Sequence, residues 1–189
     1  MEFRHVPPPA DAPPRDGLRV VCARASDPLA EPLIRELGQE YVARYGSDAI
    51  GELSRYPEEE FAPPHGVLLL LIADGSAVAG GAYRRFDPDT AELKRIWTHS
   101  AHRRRGLARR VVAELERDAA ARGYLRVHLT TGPRQPEARA LYLAAGYRPL
   151  FDTAADPETI GPLPFEKRLV PRAGAGSDEL ARPGPPRPQ

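Results

Sequence analysis

Cysteine is nearly missing from this chain: Cys22 stands alone among 189 residues. One thiol excludes an internal disulfide, and a chain without disulfides suits the cytoplasm. Long apolar runs are missing as well. The longest, Val67-Leu68-Leu69-Leu70-Leu71-Ile72-Ala73, has the length of a strand, far below the roughly 20 residues that a membrane-spanning helix needs. The opening residues hold Pro7, Pro8, Pro9, Pro13 and Pro14 but no apolar segment, so no secretory signal is read there. Net charge is close to absent at +1. That speaks against a polyelectrolyte built to coat nucleic acid, and neither nucleic acid nor membrane is expected as a partner.

What is present fits one folded domain. Residues 1–16 and 171–189 carry ten of the 22 prolines and few bulky apolar residues. Both are therefore expected to be disordered tails around a body spanning residues 17–170. Charge within that body is uneven. Residues 99–110 hold Arg103, Arg104, Arg105, Arg109 and Arg110 and no acid, a local +5. Residues 31–64 hold eight acids against Arg35, Arg44 and Arg55, a local −5. One region suits an anion and the other tolerates a cation, although such runs are most often solvated faces.

Periodicity orders the elements. Residues 18–23 are short and β-branched, a first strand. Leu29, Leu33, Leu37, Tyr41 and Tyr45 recur every four residues after Pro28, which predicts a helix stopped by Gly46. A shorter helix is expected over residues 49–55. Residues 67–73 and 77–85 flank Asp74-Gly75, a hairpin signal, and residues 92–99 make a third consecutive strand. Leu107, Val111, Val112, Leu115 and Ala119 mark the buried stripe of a helix over 106–122. Leu125, Val127 and Leu129 alternate with Arg126, His128 and Thr130, a strand with one polar face. A helix over 136–145, ended by Gly146, and strands over 147–151 and 165–170 complete the order. The fold class is α/β, a mixed α+β sheet flanked by helices.

Residues 103–108, Arg-Arg-Arg-Gly-Leu-Ala, sit between a strand and a long helix. Glycine lets a backbone approach a ligand closely, and the unpaired amides and positive dipole end of the helix start attract an anion. The loop lacks the Gly-Lys-Ser/Thr of nucleotide-triphosphate loops and the Gly-x-Gly-x-x-Gly of dinucleotide folds. Its context, strand then loop then helix, marks a phosphate-bearing ligand.

With Arg103, Gly106 and Ala108 in a Gln/Arg-x-x-Gly-x-Gly/Ala frame, the chain resembles the GNAT superfamily of N-acetyltransferases. Residues 136–147, Pro-Glu-Ala-Arg-Ala-Leu-Tyr-Leu-Ala-Ala-Gly-Tyr, resemble the family helix ending in Tyr-x-x-x-Gly-Phe/Tyr. The resemblance spans about residues 18–170. It implies a splayed sheet, acetyl-CoA as cosubstrate without a metal, and transfer of the acetyl group to a primary amine of a small molecule by direct attack in a ternary complex. A catalytically silent acyl-CoA sensor, or acetylation of a protein lysine or N-terminus, are the alternatives.

The resemblance also assigns roles. Backbone groups of Ile96, Trp97 and Thr98 would pair with the pantetheine arm as an added strand. Amides of Arg103, Arg104, Arg105, Gly106, Leu107 and Ala108 would hold the pyrophosphate, with Arg104 or Arg109 reaching the 3′-phosphate. Tyr142 matches the tyrosine that protonates the departing thiolate. Glu92 matches a glutamate that acts as base directly or through water, against a cross-strand pair with an arginine; His99 and His128 read as polar-face residues. Gln135 stands where relatives carry asparagine, and Arg104 where many carry glycine. Glu40 and Arg44 are candidates on the acceptor side. The acid-rich segments favour a cationic amine, while Arg44 would favour an amino acid. A monomer or homodimer is expected.

Overall fold

A computed structural model describes residues 17–170; the two expected tails lie outside the described residues. Seven strands, β1 Arg19–Ala23, β2 Val67–Ala73, β3 Ser76–Asp87, β4 Thr90–Thr98, β5 Arg126–Thr131, β6 Arg148–Pro149 and β7 Leu163–Arg168, form one sheet. Its order is β1-β2-β3-β4-β5-β7-β6. Five α-helices accompany it: α1 Glu31–Tyr45, α2 Gly51–Ser54, α3 Leu107–Ala121, α4 Pro136–Ala144 and α5 Pro157–Ile160. The first four strands are an antiparallel meander, and β4 and β5 are the parallel pair, joined through α3. No helix among the described residues is long and apolar enough to cross a membrane.

The apolar run of β2 is unbroken because helices cover both faces of the sheet there. Val67, Leu69 and Leu71 point into one core with Val111, Val112 and Leu115 of α3. Leu68, Leu70 and Ile72 point into a second core with Leu33 and Leu37 of α1. Burying each such side chain is worth about 1.5–3 kcal/mol, so register slips of β2 are strongly opposed.

The expected order holds, with local departures. Residues 28–30 form a 3₁₀ turn in which the Asp27 carboxylate accepts from the Leu29 amide at 2.8 Å. That turn takes Leu29 off the helical stripe, and it is 37% exposed. Leu125 likewise lies outside β5 and is half exposed, because its amide bonds to Asp89 O in the turn before the ladder begins. The strand expected over 147–151 is reduced to two residues, and α5, capped by Asp156, occupies part of the following segment.

Candidate active site

The site begins where the sheet comes apart. β4 and β5 pair only from Thr90↔Arg126 to Leu93↔Leu129. Beyond Leu93, β4 stays with β3 while β5 stays with β7, so a wedge opens between two parallel strands. A bulge coincides with the parting. Gly80 faces Trp97 and Ala82 faces Lys94, so Gly81 alone opposes both Arg95 and Ile96. Arg95 has φ +58°, a left-handed value that one class of bulge adopts and a side chain disfavours. The backbone of Ile96–Trp97–Thr98 thus borders the gap.

At the wide end lies the arginine-rich loop. Arg104 has φ +61° and Gly106 φ +76°, and Gly106 is the residue preceding α3. Arg104 therefore adopts the backbone that glycine would reach without strain. Ile96, Trp97, Thr98, Arg103, Arg104, Gly106, Leu107, Ala108, Gln135 and Tyr142 all line one cavity of about 920 Å³. Arg105 is the exception, for its guanidinium turns to His102 Nδ1 at 2.9 Å. The Gln135 side-chain oxygen accepts from Thr131 Oγ1 and the Gly132 amide, both at 3.0 Å; it braces its own loop.

Tyr142 reaches the cavity from α4. Its ring packs on Tyr147 and Phe165 at centroid distances of 5.6 and 5.8 Å. Burial pushes its hydroxyl above the ordinary tyrosine range, so it is a neutral O–H donor at any working pH.

The Acetyltransferase (GNAT) family model matches residues 31–147, which contain the wedge, the loop and Tyr142. The chain belongs to the GNAT acetyltransferase family. A curated relative of this GNAT chain, the uncharacterized N-acetyltransferase YsnE of Bacillus subtilis, is 33% identical over 93 residues. That match covers 46% of this chain and 62% of the relative's length. A candidate acyl-CoA N-acyltransferase structure from Klebsiella pneumoniae aligns with a TM-score of 0.63 at 25% identity, covering 81% of this chain and 98% of its own. A GNAT structure from Elizabethkingia anophelis, solved with acetyl-CoA bound, shares the fold at a TM-score of 0.56 and 15% identity, with 82% and 100% covered.

The remaining residues divide this GNAT cavity into two regions. On the sheet face toward α1, Glu92 is 5% exposed and lies opposite Arg84 in the β3–β4 register. Arg84 Nε donates to it at 2.7 Å, and Lys94 Nζ stands 3.4 Å away. Arg84 also holds Glu60 at 2.8 Å and lies over the Tyr56 ring at 3.9 Å. The base candidate is thus a buried cross-strand ion pair with cations at both oxygens. His128 is the β5 partner of Glu92; it lines the cavity, stacks on Phe86, and burial pushes its imidazole below the ordinary value, against the pull of Glu92 and Glu166. A neutral imidazole is a competent proton acceptor.

Glu40 and Arg44 sit at the other region, the loop end. Glu40 pairs with Arg44 at 3.2 Å and with Arg103 at 3.3 Å. Arg44 also pairs with Glu137 and donates to Arg134 O, while Tyr45 Oη accepts from the Arg134 amide at 3.1 Å. The C-terminal turn of α1 is therefore clasped to the start of α4, and neither candidate faces the Glu92 wall. Elsewhere on α1, Glu36 accepts from Trp97 Nε1, the Ser100 amide and Ser100 Oγ, each at 3.0 Å. Burial pushes its carboxyl up, but those bonds prevail and hold it below the usual range. This ties the end of β4 to the helix.

Sequence reasoning read His128 as a polar-face residue and Tyr41 as part of the α1 stripe, and it did not single out Arg95. Two consecutive charges, Lys94-Arg95, between Leu93 and Ile96 were the available signal, because they interrupt strand alternation.

Proposed function

We propose that this chain moves the acetyl group of acetyl-CoA to the primary amine of a small molecule by direct attack in a ternary complex. One observation carries the reading: a single cavity joins the left-handed arginine-glycine loop, the open edge of β4 and Tyr142. The cosubstrate supplies an activated thioester. The loop amides of residues 103–108 would hold its pyrophosphate, with Arg103, Arg104 and Arg109 on the cavity lining adding charge. Ile96–Trp97–Thr98 would offer strand-like backbone bonds to its arm. Thr98 Oγ1 is buried with no hydrogen-bond partner among the described residues, which suits a polar ligand in the gap.

Chemistry follows from the two flanks. The attacking amine must lose a proton, and His128 is the neutral acceptor on the wall, with Glu92 fixing the local field. Backbone N–H groups of the open β4 edge would stabilise charge developing on the carbonyl oxygen. Tyr142 would donate toward the departing sulfur. Cys22 lies on β1 at the far edge of the sheet, and no cysteine lines the cavity, so an acyl-cysteine relay has no nucleophile there.

The test is thiol release from acetyl-CoA with a broad panel of primary amines, with the product identified by mass. Stoichiometric thiol and an N-acetylated amine are expected; tight CoA binding with no release on any amine would instead favour a sensor. The loop is tested separately. A Cβ on Gly106 would meet no atom within 4 Å, so sterics alone do not demand glycine. Its φ does. Valine at this left-handed position costs about 1–2 kcal/mol, and the strained loop should bind CoA about tenfold more weakly in Gly106→Val, read by calorimetry. Unchanged affinity would remove the loop from the cofactor site.

A further inference from the structure

The bulge leaves one cation without a counterion. Arg95 is 8% exposed, its guanidinium lies 4.1 Å over the Phe61 ring, and its Nη2 donates to Leu53 O at 2.7 Å. Its Nη1 is buried with no hydrogen-bond partner among the described residues. A buried arginine with one nitrogen unpartnered is costly to the fold unless a further acceptor satisfies that nitrogen.

Neighbouring acids do not fill the role, because each is engaged elsewhere. Glu52 pairs with Lys94 at 3.1 Å and with Arg55 at 3.4 Å. Glu58 holds Arg24 at 3.4 Å together with the Ser26 amide and hydroxyl. Glu60 and Glu92 belong to Arg84. Along this wall the cations Arg55, Arg84, Lys94 and Arg95 face the anions Glu52, Glu60 and Glu92, and Arg95 is the odd one. Asp48, the other acid at this end of the lining, is exposed at the rim.

Tyr41 of α1 is a second polar group on the lining that Arg95 shares. It lines the same cavity as Arg95 and Tyr142, and the Arg95 cation pulls against the burial that raises its hydroxyl. Burial pushes its hydroxyl up to about 12, so it offers a proton and no negative charge. A neutral O–H and an unpartnered guanidinium N–H on one cavity lining are donors of the kind a carboxylate takes.

We infer that the acceptor is an amino acid, its carboxylate bound by Arg95 Nη1 and the Tyr41 hydroxyl and its amine turned toward Tyr142 and the wedge. This rests on the acetyl-transfer reading above and narrows it. It replaces the cationic amine suggested by the acid-rich residues 31–64, most of which are spent on ion pairs inside the chain. It also moves the carboxylate-binding role from Arg44, which the clasp occupies, to Arg95.

Calorimetry of the full chain, with and without saturating CoA, against the L-amino acids and their C-terminal amides tests it. At least one free amino acid should bind tenfold or more tightly than its own amide. Arg95→Met should lose that preference, Arg95→Lys should keep part of it, and CoA affinity should stay within about threefold in both, showing an intact fold. Amides that bind as well as the acids, or a preference that survives Arg95→Met, would overturn the inference. Because the readout is binding, the two readings fail separately. An amino acid bound through Arg95 without thiol release on any amine would sink acetyl transfer alone. Release on amines lacking a carboxylate, with no preference for the acids, would sink this inference alone.

Discussion

Tyr142→Phe lowers the rate of acetyl transfer by about a hundredfold while CoA affinity stays nearly constant. The packing argument comes first. Tyr142 is buried against Tyr147 and Phe165, and phenylalanine keeps every ring contact, so the fold and the cavity persist. Only the proton donor is lost. General acids typically contribute 10²–10⁴-fold, and the lower end applies because a thiol with a reference pKa of about 8.5 leaves more readily than an alkoxide. Burial raises Tyr142 further, which by itself would weaken it as an acid. The departing thiolate would appear in the same dry site, where burial penalises its charge too. The two effects oppose each other, so the donation stays useful. Single-turnover rates with saturating acceptor, beside a calorimetric CoA affinity, check the result. An unchanged rate would remove Tyr142 as the acid; parallel loss of rate and affinity would make it a packing residue.

Gly66→Ala destabilises the fold by about 3 kcal/mol or more, the upper range for overpacking. A Cβ on Gly66 would lie 2.1 Å from Glu60 O and 2.7 Å from Tyr83 O. Both are backbone atoms, which cannot rotate away as a side chain would. Relief requires pulling the turn at residues 58–66 off β3. For a domain of this size the melting temperature should fall by roughly 6–12 °C, measured by thermal unfolding followed by circular dichroism. A drop below about 2 °C would mean the turn yields freely. Catalysis should suffer as well, because Glu60 is one of the two carboxylates that hold Arg84 against the Glu92 wall.

Periodicity and turn chemistry made most of the fold legible. The five apolar positions of α3 and the Asp74-Gly75 hairpin stand where the pattern places them. The arginine-glycine loop and the placement of Tyr142 on the cavity were legible because each depends on local sequence: a glycine ahead of a helix, a tyrosine four residues before a glycine. The wall opposite was legible only at Glu92, for which a cross-strand arginine was the alternative reading. Glu92 meets Arg84 across a β-ladder, Glu40 meets Arg103 across 63 residues, and Arg44 meets Glu137 across 93. Pairings of that kind follow from topology, and the local charge balance of residues 31–64 gives no hint of them. Arg95 escaped notice for a related reason. A lone arginine beside a lysine in a strand reads as solvated surface until the chain closes Phe61 and Leu53 over it.

The extra residue in β4 also makes that strand two strands in different phase. Ahead of it the odd positions Ala91 and Leu93 belong to the α3 core; after it the even position Ile96 does, and odd Trp97 crosses to the α1 core. Because Lys94 and Trp97 face Ala82 and Gly80 on one side of β3, removing residue 95 would restore plain alternation, keeping Ile96 on the α3 face and Trp97 on the α1 face while straightening the strand beside the gap. The extra residue therefore shapes the open edge alone, and the docking of α1 on Trp97 can persist while that edge varies.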